Sequence, residues 1–135
     1  MVKENRTTND NITVLLEDQI FVFGSNESGR HGKGAAKQAL TWGAKWGKAE
    51  GLQGRTYGIP TKNASIRRTL TIPQIKPYVD RFIEFAKRSP EMIFLVTEIG
   101  CGLAGLNYKD VAPLFNEAKD VDNIHLPGKF WRKIK

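Results

Sequence analysis

The sequence predicts an α/β fold: a mainly parallel sheet with helices on both faces, arranged in three α/β/α layers. Apolar runs typical of buried strands alternate along the chain with amphipathic segments typical of helices. Two of the runs, Ile20–Phe23 and Met92–Thr97, are apolar on both faces, as expected for central strands. A glycine-rich loop follows each of them, at the edge where an open parallel sheet binds ligands.

The chain length and the polarity of its ends indicate one domain. A chain of 135 residues is long enough to bury a sizeable core. We expect residues 1–11, which are polar, to be a flexible or edge segment. Residues 12–135 would then form the single domain, which ends in a basic tail.

The first half of the chain predicts three strands and one helix. The strands are Ile12–Leu16, Ile20–Phe23 and Arg55–Pro60, the last ended by a proline that cannot donate to a ladder. Small and apolar residues at three- and four-residue spacing predict a helix from Gly34 to about Gly47. A polar loop is expected from Gly47 to Gly54, and a polar turn at Thr61-Lys62-Asn63.

The second half predicts two helices and two strands. The clearest amphipathic pattern predicts a helix from near Lys76 to Ser89, with Pro77 in its first turn because proline is unfavourable further inside. After the strand Met92–Thr97, Asp110 is expected to be the N-cap of the next helix. Asn123–Leu126 predicts a last strand, ended by Pro127.

The composition limits the classes of partner and compartment. A net charge of +7 suits an anionic partner such as a nucleotide or nucleic acid. The single cysteine, Cys101, allows no internal disulfide and fits a reducing cytoplasm. No apolar run approaches the roughly 20 residues of a membrane span. One cysteine and two histidines allow no zinc-finger spacing, and we expect neither a metal nor a cofactor. The sequence makes no prediction of oligomeric state.

Two glycine loops predict a phosphate site. The first glycine loop, residues 24–34, leads into a helix, and the second glycine loop, residues 100–105, follows the strand Met92–Thr97. Backbone N–H groups of such loops bind anions without needing a lysine. The first loop is not a Walker motif, and Lys37 stands where the dinucleotide motif has its third glycine. We therefore expect the two loops to hold a diphosphate from both sides.

Several segments resemble a family of small uncharacterised proteins from bacteria and their phages that are related to macro domains. The resemblance covers roughly residues 20–127. It rests on Phe23-Gly24-Ser25-Asn26, Gly29-Arg30-His31-Gly32-Lys33-Gly34-Ala35-Ala36, Gly58-Ile59-Pro60-Thr61-Lys62, Ile99-Gly100-Cys101-Gly102-Leu103-Ala104-Gly105, Ala112-Pro113-Leu114-Phe115 and Leu126-Pro127.

The resemblance implies a macro-like α/β domain that binds ADP-ribose and, in some relatives, hydrolyses it from its attachment. Asn26 and Gly32-Lys33-Gly34 would lie beside the distal ribose, and the second glycine loop would wrap the diphosphate. Asp18 is the one candidate for reading the adenine amine. The expected ligand-binding residues are Gly24, Ser25, Asn26, Gly29, Gly32, Gly34, Thr61, Lys62, Gly100, Cys101, Gly102, Leu103, Ala104 and Gly105.

Candidate catalytic residues are Asn26, His31 and Lys33, and the first two also have an alternative interpretation. Asn26 would orient a ribose hydroxyl or a water, or else hold its own turn. His31 would bind phosphate or act as a general acid or base, or else be an exposed loop residue. Lys33 would contact a phosphate or carbonyl. Cys101 lacks the partners of a catalytic nucleophile.

Three functions remain open at this point. The first is an ADP-ribose or related nucleotide binder with hydrolase activity. The second is a non-catalytic sensor or sponge for such a nucleotide in phage–host conflict. The third, and least favoured, is a nucleic-acid module that uses the basic tail and Arg67-Arg68.

Overall fold

A computed structural model describes residues 4–135 and shows one mostly parallel six-stranded sheet. The strands are β1 Thr7–Thr8, β2 Gln19–Asn26, β3 Gly51–Gln53, β4 Thr56–Lys62, β5 Ile93–Val96 and β6 Ile124–Pro127. Their order in the sheet is β1-β6-β5-β2-β4-β3, and of these described strands only β3 runs antiparallel to its neighbour. The α/β class predicted from the sequence is therefore confirmed.

Among the described residues, four α-helices accompany the sheet: α1 Gly34–Leu40, α2 Ile72–Lys87, α3 Tyr108–Val111 and α4 Gly128–Trp131. Short 3₁₀ helices cover Glu4–Arg6 and Ala112–Asp120. No helix within residues 4–135 is long and apolar enough to cross a membrane.

Strand predictions fail where pairing depends on distant parts of the chain. Ile12–Leu16 is irregular rather than a strand, and Val14 and Leu16 are exposed. Gly51–Gln53, expected to be loop, forms β3 as a hairpin with β4. Pro60 does not end β4, because the strand register shifts just beside it; Thr61 and Lys62 consequently continue the strand instead of forming a turn.

The helix boundaries also differ from those predicted. Helix α1 ends at Leu40 rather than near Gly47, because Gly43 adopts φ +100° and lies against Gly54, where a Cβ on Gly43 would be 2.9 Å from the Gly54 Cα. Helix α2 starts four residues earlier than Lys76, with Thr71 and Gln74 forming a reciprocal capping box.

Pro77 and the N-cap of α3 lie elsewhere than predicted, whereas Pro127 ends the last strand as expected. Pro77 lies inside α2 rather than in its first turn. Asn107, not Asp110, is the N-cap of α3, and its side chain accepts a hydrogen bond from the Lys109 backbone. Pro127 is the last residue of β6 and leads directly into α4.

The buried side chains fall into two clusters, between which alternate residues of β2 are divided. Ile20 and Val22 belong to the larger cluster, whereas Phe21 and Phe23 belong to the smaller one. Helix α2 packs in the larger cluster through Val79, Phe82 and Ile83, and α1 packs in the smaller one through Ala36 and Ala39.

The described part of the 1–11 segment is an edge strand rather than a free tail; residues 1–3 lie outside the described residues. Thr7 and Thr8 pair with Leu126 and Pro127. Arg6 is buried, and its guanidinium donates to four backbone carbonyls, those of Ala118, Lys119, Val121 and Ile124. These bonds attach the N-terminal segment to the end of the chain.

Candidate functional site

A cleft of about 890 Å³ opens at the carboxyl ends of β2, β4 and β5. This is the sheet edge at which the sequence predicts ligand binding. Of the predicted binding residues, Gly29 and Gly105 are absent from its lining. The lining comprises Gly24, Ser25, Asn26, Arg30, Gly32, Lys33, Gly34, Ala35, Ala36, Trp46, Thr61, Lys62, Ile66, Thr97, Glu98, Ile99, Gly100, Cys101, Gly102, Leu103 and Ala104.

The two glycine loops form adjacent walls of this cleft. A Cβ on Gly24 would lie 3.4 Å from the Gly100 backbone nitrogen, and a Cβ on Gly34 would lie 3.2 Å from Leu103 Cδ1. By contrast, a Cβ on Gly102 would meet no atom within 4 Å. The loops therefore touch at their ends and leave open space above Gly102.

Asn26 uses most of its hydrogen-bonding capacity to hold the first glycine loop. Its Oδ1 accepts from the Arg30 backbone N–H at 2.9 Å and from Ser28 Oγ at 2.8 Å. Its Nδ2 donates to the Arg30 carbonyl at 2.8 Å. The side chain is nearly buried at the base of the cleft, and these bonds use one of the two Nδ2 hydrogens. This is the turn-holding alternative that the sequence left open.

His31 is fully buried and does not line the cleft. Its Nε2 lies 3.1 Å from both the Lys48 carbonyl and Gln53 Oε1, and its ring packs edge-on against Phe23 and Trp46. Its Nδ1 has no hydrogen-bond partner among the described residues. The buried ring is therefore positioned to support the loops that carry Lys48 and Trp46, and not to touch a ligand.

The charged residues of the cleft are mainly cations. Arg30, Lys33 and Lys62 line it, and none of them forms an ion pair within residues 4–135. The carboxylate in the lining, Glu98, lies 3.3 Å from Lys129 Nζ. The field in the cleft therefore favours an anion.

Cys101 is half-buried in the second glycine loop, and its thiol lies 3.4 Å from the Ile99 carbonyl. Burial, with a smaller contribution from Glu98, raises the pKa of this thiol to about 11. The thiolate is the nucleophilic form, so the site lacks an activated cysteine nucleophile.

Ile66 is a cleft residue that the sequence analysis did not identify. It lies in the loop after β4 with φ +65°, which is rare for a β-branched residue. The loop is attached to the second glycine loop, because Thr69 Oγ1 donates to the Ala104 carbonyl at 2.6 Å. No local sequence signal distinguishes such a residue from other loop residues.

A second cavity of about 210 Å³ adjoins the cleft and shares Ala35, Thr97 and Glu98 with it. Asp10 and the apolar side chain of Phe21 are among its other lining residues. The Thr8 hydroxyl, also in its lining, is buried with no hydrogen-bond partner in the described chain. Asp18, in contrast, precedes β2 and so lies at the opposite end of that strand from the cleft.

Comparison of the chain with protein-family models, with curated proteins and with solved structures found no match. Within residues 4–135, no group of three or more histidine, cysteine, aspartate or glutamate side chains is arranged to hold a metal ion. The chemistry of the site must therefore be argued from its geometry.

Proposed function

We propose that this protein binds ADP-ribose, or a related phosphate-bearing nucleotide, with the diphosphate between the two glycine loops. One observation supports this above all: both loops wall a single cleft whose unpaired charges, Arg30, Lys33 and Lys62, are cationic. A volume of about 890 Å³ lies within the range of nucleotide and cofactor pockets. A phosphate oxygen can come close to the backbone of Gly102, since no side chain intervenes and the space above it is open.

The second cavity supports a nucleotide rather than an isolated phosphate. The linings of the two cavities share Ala35, Thr97 and Glu98, so a base in the second cavity would lie beside a diphosphate in the cleft. Phe21 is only 2% exposed and offers little surface to a base, but the exposed Asp10 carboxylate can accept hydrogen bonds from an exocyclic amine. In this proposal Asp10 replaces Asp18 as the base-reading residue.

The proposed fold is a three-layer, macro-domain-like arrangement. The two separate core clusters, one containing α1 and the other α2, support helices on opposite faces of the sheet. A single cysteine supports a cytoplasmic location.

Binding is tested by calorimetric titration of the purified protein with ADP-ribose, alongside AMP and ribose 5-phosphate. We expect ADP-ribose to bind most tightly because it alone can occupy both cavities and the diphosphate position. Thermal unfolding measured with the same ligands gives an independent readout, since a ligand that binds only the folded state raises the Tm. No heat and no rise in Tm at millimolar ADP-ribose would refute the proposal.

The charge requirement is tested at Gly102, because a side chain there enters open space without disturbing the fold. Gly102→Glu places a carboxylate beside the expected diphosphate, and Gly102→Gln adds the same bulk without charge. We expect the glutamate variant to lose affinity by at least tenfold relative to the glutamine variant, from like-charge repulsion. Equal affinity in the two variants would place the phosphates elsewhere.

A test for hydrolysis of an ADP-ribosyl linkage distinguishes a hydrolase from a sensor that only binds the nucleotide. If the protein is a hydrolase, water attacks the anomeric carbon of the distal ribose, the bond to the attached group breaks, and that group leaves with a proton. Lys33 lies in the lining, exposed and unpaired, and could donate that proton, whereas Cys101 lacks a reactive thiolate. Incubation with ADP-ribosylated protein and nucleic acid, comparing Lys33→Ala with Lys37→Ala outside the cleft, measures this directly. Tight binding without release of ADP-ribose by the wild type supports the sensor.

A further inference from the structure

Next to the cleft lies an exposed basic and aromatic surface, here called the Trp46 surface. It consists of Trp46, Lys45, Lys48, Arg30 and Lys33. Trp46 is 64% exposed although tryptophan is usually well covered, and all four cations are exposed. Trp46, Arg30 and Lys33 also line the cleft, so the surface and the cleft are continuous.

The two segments of the Trp46 surface are held together by buried contacts. Gly47 N–H donates to the Gly29 carbonyl at 2.9 Å, and a Cβ on Gly29 would lie only 2.5 Å from the Gly47 carbonyl carbon. The Lys48 carbonyl lies 3.1 Å from His31 Nε2, and the Lys45 N–H donates to Gln53 Oε1 at 2.8 Å. His31 and Gln53 thus fix the backbone below the exposed side chains, which leaves the surface preorganised.

The cations of this surface are free to bind phosphate. The ion pairs of residues 4–135 employ Arg6, Lys76, Arg81, Lys87 and Lys129. None employs Arg30, Lys33, Lys45 or Lys48. An incoming anion therefore breaks no existing ion pair.

We propose that the Trp46 surface binds single-stranded nucleic acid, with a base stacked on the Trp46 indole and backbone phosphates on Lys45, Lys48 and the cations of the cleft rim. Aromatic side chains bordered by cations are the recurring means of binding single strands. A duplex offers no unstacked base to an indole. An acidic peptide would use the cations but not the indole. This site differs from the basic tail and Arg67-Arg68, which the sequence suggested for nucleic acid.

The test is fluorescence anisotropy with a labelled oligothymidylate of about 12 nucleotides, a length typical of one single-strand site. Replacing both lysines, Lys45→Ala with Lys48→Ala, removes two phosphate contacts. We expect the slope of log affinity against log salt to fall by about 1.4, and the affinity at about 0.1 M salt to fall about 25-fold. Trp46→Ala should lose roughly 5- to 150-fold, while Trp46→Phe retains stacking and most of the affinity.

The matched control is Lys133→Ala with Lys135→Ala, which removes the same charge from the basic tail. Loss of affinity in this pair equal to that in the Lys45 and Lys48 pair would overturn the proposal, as would no binding by the wild type. Equal competition by polyglutamate and by unlabelled oligothymidylate would identify a general anion surface and also overturn it.

This experiment is separable from the test of the proposed nucleotide site. Lys45 and Lys48 do not line the cleft, so their double variant should bind ADP-ribose as the wild type does. Nucleotide binding without strand binding, or the reverse, would therefore refute one proposal and leave the other standing.

Discussion

At position 66 we expect glycine to make the protein more stable than alanine does, which reverses the usual order of stability for these two residues. Its φ of +65° lies in the left-handed region, where any Cβ crowds the backbone. The conformation is fixed by the surrounding loop, since Ile66 N–H donates to the Asn63 carbonyl and Asn63 N–H donates to the Arg68 carbonyl. Replacing Ile66 by Gly and by Ala removes nearly the same side chain but leaves the Cβ only in the alanine variant.

The expected difference follows from two opposing terms. A residue with a Cβ costs roughly 1–2 kcal/mol in the left-handed conformation, and glycine avoids this cost. Glycine in turn loses roughly 0.5–1 kcal/mol more than alanine through backbone entropy. The free energy of unfolding of Ile66→Gly should therefore exceed that of Ile66→Ala by about 0.75 kcal/mol, the difference between the midpoints of the two ranges.

Urea unfolding followed by circular dichroism measures this difference, provided that the two variants have equal m-values. Gly102 is the matched control, because its φ is outside the left-handed region and a Cβ there meets nothing within 4 Å. At that position alanine should be the more stable residue by about 0.4–1 kcal/mol. If alanine is also the more stable residue at position 66, the strain assigned to Ile66 is absent.

Ile66 also connects strain with the proposed ligand. The side chain lines the cleft, and strained residues are retained where the surrounding structure holds them for a purpose. We expect Ile66→Gly to weaken ADP-ribose binding while the fold remains intact. Unchanged affinity would show that the side chain only borders the cleft.

Three further predictions concern single residues. Gly29→Ala should lower the free energy of unfolding, measured in urea, by at least about 3 kcal/mol. The reason is that Gly29 has a φ of +71° and a new Cβ would lie within 3 Å of backbone atoms at Gly47 and Lys48. A loss below about 1 kcal/mol would contradict this. Arg6→Ala should lower the free energy of unfolding by about 3–5 kcal/mol, roughly 1 kcal/mol for each carbonyl that loses a charged donor; the bonds to Ala118, Val121 and Ile124 are buried and the bond to Lys119 is partly buried. Thermal unfolding should show no rescue by Arg6→Lys, whose single ammonium cannot reach all of these carbonyls. Cys101 should alkylate about 100-fold more slowly at pH 8 than a thiol with the ordinary pKa of 9.0, because a pKa of about 11 lowers its thiolate fraction until the pH approaches that value; a rate matching that of free cysteine would contradict it.

The central strands could be predicted because strands buried on both faces consist almost entirely of apolar residues, which is visible in the local sequence. Ile20–Phe23 and Met92–Thr97 are apolar at every position or nearly so, and both correspond to paired strands, β2 and β5. Ile12–Leu16 is similarly apolar but gains no strand partner, and Ile12 and Leu15 instead pack against the smaller cluster. Composition indicates that a segment is apolar, whereas pairing depends on what lies beside it.

The ends of elements could not be predicted where remote backbone decides them. The turn after α1 packs at Gly43 against Gly54. Gly54 is 11 residues further along the chain and lies in the turn between β3 and β4. The register shift beside Pro60 likewise depends on its β2 neighbour, Ser25. Neither contact produces a periodic pattern of apolar residues from which the end of the element could be predicted.

The sequence located the cleft better than it located the individual side chains. Matched positions after β2 and β5 placed both glycine loops at one sheet edge, because parallel strands end on the same side. Side-chain direction within an irregular loop has no comparable rule. His31 therefore points into the protein, whereas Arg30 and Lys33 line the cleft. Asp10 lines the second cavity together with Thr8 of β1, and no sequence motif indicates that contact.

The pairing of β1 with β6 also constrains the order in which the protein can be assembled. Thr7 pairs with Leu126, and the Arg6 carbonyl accepts a hydrogen bond from Trp131 Nε1, so β1 cannot complete these contacts until residues 126–131 have been synthesised. Contacts between residues so far apart in the sequence slow folding, and strand edges stay unpaired until those contacts form. During translation β5 can pair with β2, but the β6 edge and the carbonyl partners of Arg6 do not yet exist. The second cavity is lined by both Thr8 and Pro127, so it cannot be complete before Pro127 has been synthesised, whereas every lining residue of the main cleft precedes residue 105.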